Sequence, residues 1–185
     1  DVCIFNYTTD LLEQYQVQHE DWRTSVVVQN IESFQEMFVS MWNNNIINNI
    51  GTKVYNRAIL SNLSFIPYNI CEDICFCIDA LIGSVRIMYL NKNIYIYRQN
   101  VSDSLMSSYK ANYLDAACIL LTKLNNLREK FSDTSSFDRA YKIYTSTMFK
   151  KILVNETYRG LKSFNRLCSL VASKNEFIHV IMNDG

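Results

Sequence analysis

The stretch CEDICFCIDAL, residues 71–81, carries three cysteines and three carboxylates within eleven positions. Four chemistries suit such a set: a metal centre, a thiol redox pair, acid/base catalysis, or none. A zinc site needs paired ligands, commonly two Cys-x2-Cys units or Cys and His at similar spacing. Here the order is Cys71-x3-Cys75-x-Cys77. On a helix Cys71 and Cys75 share a side, about 40° apart, while Cys77 points roughly away from Cys75. No single ion could collect all three, and no metal ligand is assigned. A Cys-x-x-Cys redox pair is absent from the stretch. The cysteines are therefore read as small apolar filler. Glu72 and Asp73 are different. Their plain role is to open a helix, where the dipole favours carboxylates. They also follow a turn-rich loop, and a carboxylate at such a helix start can serve as a general base.

The elements that must position this pair are legible in outline. DVCIFNY (1–7) and EQYQVQH (13–19) are expected strands, and SVVVQN (25–30) is a short strand or lead-in. Ile31, Phe34, Met37, Phe38, Met41 and Trp42 fall at helical spacing, and the asparagine cluster 43–49 ends that helix. Residues 52–63 read as a short strand running into a short helix. The loop around Pro67 leads into a helix over 72–82, with Gly83 suited to its C-terminal side. VRIMYL and NIYIYRQ read as two strands joined by a hairpin turn at NKN. From about 107 onward the pattern is helical. Helices are expected over 107–130, 136–155 and 157–174, the first two separated by SDTSS.

Composition narrows the class. The chain has 185 residues, 49% of them apolar, with 18 basic and 18 acidic side chains. This is enough for one domain with a sizeable core. Charge balance argues against a nucleic-acid partner, which would want a basic stripe. Four glycines and one proline leave little room for flexible linkers. Neither a run of eighteen apolar residues nor a signal segment is present. Six cysteines in so apolar a chain are expected to be reduced thiols of a cytoplasmic protein. The chain opens at Asp1, already inside an expected strand, and is read as cut from a longer polypeptide.

Three motifs occur in order: GTKVYNRAIL, then CEDICFCIDAL, then the run from Tyr95 to Met106. Together with the opening strand, they resemble the C-terminal part of bacterial family 2 glycosyltransferases of the GT-A fold. There an NKLYRRxLL segment leads into an EDxxFxxxLL helix, followed by YYYR and a Ser-rich QNxxSIM loop. The matching residues are Lys53, Tyr55, Arg57 and Leu60; Glu72, Asp73, Phe76 and Leu81; and Tyr95, Tyr97, Arg98, Gln99, Asn100, Ser104 and Met106. The resemblance covers about residues 1–106 and implies an α/β fold. Residues 1–106 would be the acceptor side of the catalytic domain, the C-terminal half of a GT-A-type mixed sheet with flanking helices. Residues 107–185 would be an all-helical C-terminal appendage. The implied activity is inverting transfer of a sugar from a nucleotide-sugar donor to a glycan or lipid-linked acceptor, in bacterial surface polysaccharide synthesis. Asp73 would be the base. Glu72 would bind acceptor, with Lys53, Tyr97, Arg98 and Ser104 as further substrate-binding groups. The loop 100–106 would form a flap over the donor.

Two departures qualify the resemblance. The family's nucleotide-binding half and its Asp-x-Asp motif are not in this chain, so a divalent cation (Mn or Mg) would find its main ligands elsewhere. The chain alone is expected to be inactive. Where some members carry a His before the hairpin Arg, this sequence has Tyr97. The helical region shows no catalytic pattern. Arg159, Lys162, Arg166 and Lys174 alternate with Tyr158, Leu161, Phe164 and Leu167, a mildly basic amphipathic stretch. Self-association and peripheral contact with the inner face of the membrane are further readings of it. The rival reading from another class is a non-catalytic helical interaction module. A metal-dependent hydrolase fragment is a weaker third.

Overall fold

β-Branched and aromatic residues make Val2–Thr9 the first strand, β1, and it becomes one of the two inner strands of a four-stranded mixed sheet. The computed structural model describes residues 1–9, 26–28, 30–97 and 109–157, together with Asn165, Cys168 and Ser169. The expected strand 13–19, the 100–106 loop and most of the expected helix 157–174 lie outside the described residues, as do Arg98, Ser104 and both histidines. β2 is Val26–Val28, β3 is Lys53–Tyr55 and β4 is Ile87–Tyr97. Their order is β2-β4-β1-β3, with β4 parallel to β1 and the outer strands antiparallel to their neighbours.

The helices follow the apolar periodicity. α1 (Gln35–Asn43) is preceded by a 3-10 turn at Glu32–Phe34 and buries Met37, Phe38, Met41 and Trp42. α2 (Arg57–Leu60) is a single turn capped by Asn56, whose Oδ1 accepts from Ala58 N–H at 3.0 Å. α3 (Glu72–Ile82) matches the expected bounds, and Gly83 follows it at φ −78°, without using glycine's extra freedom. α4 spans Tyr113–Arg128 and α5 spans Ser135–Thr157. Val2, Ile4, Ile87 and Tyr89 of the sheet share one continuous core with α1, α3, α4 and α5. At its centre Phe38, Trp42, Phe131 and Phe137 pack ring against ring, centroids 5.5–6.1 Å apart. The described helical region is thus built into the core of the sheet layer, where the sequence pattern suggested an appendage.

The expected hairpin at NKN is not formed. β4 runs straight through it as one strand of eleven residues. The pairing with β1 slips instead, from Phe5↔Leu90 to Asn6↔Asn93 and then to Tyr7↔Tyr95. Side chains hold the bulge. Asn6 Nδ2 donates to Asn91 Oδ1 at 2.9 Å, and Tyr89 Oη–H donates to Asn6 Oδ1 at 2.9 Å. The asparagines that mimic turn chemistry here satisfy a slipped register.

Among the described residues, helices close one face of the sheet. The row Val27, Met88, Cys3, Val54 runs across all four strands on the opposite face. Val27 is 56%, Met88 36% and Val54 61% exposed.

Candidate active site

The loop before α3 enters the helix through Cys71, which sits at φ 61°, ψ 3°. A left-handed conformation at a residue other than Gly or Asn is strained. It swings the chain sharply, so that Glu72 and Asp73 occupy the first turn. Cys71 C=O accepts from Cys75 N–H at 3.0 Å, which closes that turn.

Asp73 is half-buried, near the backbone of Ile50. Ile50 opens the 3-10 turn Ile50–Thr52 that leads into β3. Burial pushes the Asp73 carboxyl above its usual range, and Glu72 beside it adds to the shift. The Ile50 backbone N–H and the Lys53 ammonium pull the other way.

Lys53 faces inward. It is 7% exposed, and its Nζ donates to Asn49 O at 2.7 Å, Ile46 O at 2.8 Å, Thr52 Oγ1 at 3.1 Å and Ile47 O at 3.3 Å. The register explains this. Lys53 pairs with Ile4 and Tyr55 with Val2, so both side chains share the face of the core residues. Val54, the apolar member of the trio, points out. Burial draws the ammonium below the usual lysine range, opposed by Cys77 and Asp73. The turn is tight elsewhere too. Asn49 Oδ1 accepts from Gly51 N–H at 2.8 Å, and a Cβ on Gly51 would come within 2.9 Å of the Tyr95 ring.

The three cysteines of the opening stretch separate as the helix geometry requires. Cys75 and Cys77 are both fully buried. Cys77 Sγ lies 3.3 Å from Tyr55 Oη and beside Lys53. Cys75 instead feels Cys71, Lys123 and Asp79. Burial pushes the Cys71 and Cys75 thiols up to about 12, so both are protonated and unreactive at neutral pH. Asp79 forms an ion pair with Lys123, tying α3 to α4. Among the described residues no group of three or more His, Cys, Asp or Glu side chains could hold a metal ion. The donor set that a divalent cation would need is not found there, and no step below passes through one.

Of the expected site residues, Asp73, Glu72 and Lys53 come together around the Ile50–Thr52 turn. Tyr97 lies at the far end of β4, exposed, edge-on to Tyr7 at 6.2 Å. Arg98 and Ser104 lie outside the described residues. Tyr55, Cys77 and the Ile50 N–H join the cluster without having been singled out. Inward alternation from Tyr55 could have found the first; a backbone donor leaves no trace in side-chain pattern. A cleft of ≈ 240 Å³ opens where the Tyr68–Ile70 loop meets Tyr109, Lys110 and Asn112, at the approach to α3. Asn155 of α5 braces it, accepting from Lys110 N–H at 3.0 Å and donating to Lys110 O at 2.9 Å.

The chain matches no protein-family model, and no curated protein matches it significantly. Among the described residues no helix is long and apolar enough to cross a membrane.

Proposed function

We propose that the chain is the acceptor-side part of an inverting glycosyltransferase of the GT-A type, with Asp73 as its general base. One observation carries the reading. Asp73 is a half-buried carboxylate at a helix start, made more basic than an exposed aspartate chiefly by its burial. A base of that kind can accept the acceptor hydroxyl's proton as its oxygen forms a bond to the anomeric carbon. The bond from that carbon to the nucleoside diphosphate breaks on the opposite face, and the configuration inverts. Glu72 would orient the acceptor. Tyr97, Arg98 and Ser104 would line the donor side, and the nucleotide and any divalent cation would be bound by a preceding half. The working location is the cytoplasm, at the inner face of the membrane.

This reading makes two checkable statements. The chain alone does not bind uridine or guanosine diphosphate with manganese; tight binding by isothermal titration contradicts the division of labour. In the protein carrying both halves, Asp73→Asn abolishes transfer and spares donor binding; near-wild-type transfer removes Asp73 from the role.

A second reading, a non-catalytic interaction module, draws on the exposed Val27–Met88–Val54 row, which no helix among the described residues covers. In it the acidic pair is a helix start and nothing more. Retention of the protein's full activity by both Asp73→Asn and Glu72→Gln would favour it.

A further inference from the structure

Resting on the reading of the chain as the acceptor side of a glycosyltransferase, we propose that the cleft between the Tyr68–Ile70 loop and the start of α4 is a saccharide subsite. It holds one sugar of an oligosaccharide acceptor while a neighbouring unit presents its hydroxyl at Asp73. The 109–112 wall of the cleft is fixed from behind by α5. Asn155 accepts from Lys110 N–H at 3.0 Å and donates to Lys110 O at 2.9 Å. Tyr109 Oη–H donates to Glu156 Oε1 at 3.3 Å, and Asn155 Nδ2 donates to the same oxygen at 3.2 Å. A wall so held keeps its shape without a ligand, which lowers the ordering cost of binding.

Other polar side chains that line the cleft are not spent on the fold. Tyr68, Asn69 and Asn112 make no side-chain hydrogen bond to any described residue. Asn112 stands at the N-cap of α4, where an asparagine ordinarily bonds the first turn, yet its side chain makes no such bond. Each amide offers two N–H donors and one carbonyl acceptor. With the Tyr68 hydroxyl they form a small neutral set beside two phenol rings, and no carboxylate lines the cleft. This is the complement of a sugar ring, whose hydroxyls both give and take hydrogen bonds and whose C–H groups suit the negative face of an aromatic ring. The volume of ≈ 240 Å³ lies below the roughly 300 Å³ at which sites for drug-sized ligands begin, which suits one sugar ring rather than a nucleotide. Ile70 precedes Asp73 by three residues, at most about 11 Å of chain. A sugar in the cleft and a hydroxyl at Asp73 therefore fit one short oligosaccharide, and the acceptor is a glycan being extended.

The test screens an array of neutral and uronic-acid tetrasaccharides against the chain, then titrates the best binder while backbone amides are followed by NMR. The shifts should centre on residues 68–70 and 109–112. Asn69→Ala and Asn112→Ala should each weaken binding roughly 3- to 10-fold, with the fold intact by circular dichroism. In the protein carrying both halves, the double variant should raise KM for a tetrasaccharide acceptor roughly 10- to 100-fold at unchanged kcat. Its KM for a monosaccharide acceptor should not move, whereas a general loss of structure would impair both acceptors. No tetrasaccharide bound at about 1 mM, or shifts centred elsewhere in the unaltered chain, overturns the proposal. So does an equal effect of the double variant on both acceptor lengths. If Asp73→Asn stays active while the double variant still weakens tetrasaccharide binding, the base assignment fails and the subsite stands. If Asp73→Asn is inactive while the double variant binds and transfers normally, the subsite fails and the base stands.

Discussion

Two lysine–carboxylate arrangements meet on helix α3, and they are built in opposite ways. Near its C-terminal end, Asp79 and Lys123 of α4 touch directly, both partly exposed. Near its start, Asp73 and Lys53 influence one another without a direct ion pair. Lys53 is given over to backbone carbonyls, and burial raises the Asp73 carboxyl. A direct pair uses up the carboxylate, whose negative charge is matched by the ammonium in contact with it. The indirect arrangement leaves the carboxylate unmatched by an ammonium in contact with it. The first arrangement is suited to joining two helices. The second is suited to chemistry.

The largest effect should separate the two lysines. Lys53→Met leaves three carbonyls and the Thr52 hydroxyl without their buried donor and should cost about 3 kcal/mol in urea unfolding. Lys123→Met removes a partly exposed pair and should cost about 0.5–1 kcal/mol. Equal costs would erase the distinction between a buried clamp and a helix tie.

The sequence made α3 legible to the residue, because a polar loop, an acidic first turn and an apolar run all agree. It left the burial of Lys53 unread, because that lysine was expected to face substrate. The strand obeys its partner's register, with Ile4 opposite Lys53, and the core accepts an ammonium because neighbouring carbonyls satisfy it. The NKN stretch misled for a related reason. Turn-forming Asn91 was bound into a bulge by Asn6, 85 residues away in sequence though adjacent in space.

A smaller effect, in pH, sharpens the comparison from another side. Asp138 is bound by Arg128 through Nε at 2.6 Å and Nη2 at 2.8 Å, and this holds its carboxyl below the usual range. Asp73 stands above it. On acidification Asp73 should take up its proton first and Asp138 last, as read by carboxyl-carbon shifts. The stability contributions have opposite signs. That of Asp138 is present above the ordinary aspartate value and fades as pH falls through its lowered one. That of Asp73 is present at low pH and fades as pH rises through its raised one. The reverse titration order would contradict the burial argument.

The smallest effect concerns the thiols. Cys168 is exposed, whereas Cys75, Cys77 and Cys118 are buried. An aromatic disulfide reagent should label Cys168 first in the native chain and reach the buried three only on unfolding. Early labelling of Cys77 would mean that the Lys53–Tyr55 pocket is open to solvent.

The most direct test of the central claim places the two aspartates of α3 side by side, as Asp73→Asn and Asp79→Asn in the protein carrying both halves, with transfer rate and donor binding measured on each. The account predicts that Asp73→Asn lowers transfer by roughly 10²- to 10⁴-fold with donor binding intact, and that Asp79→Asn keeps near-normal transfer with slightly lower stability. Comparable transfer by the two variants would contradict it.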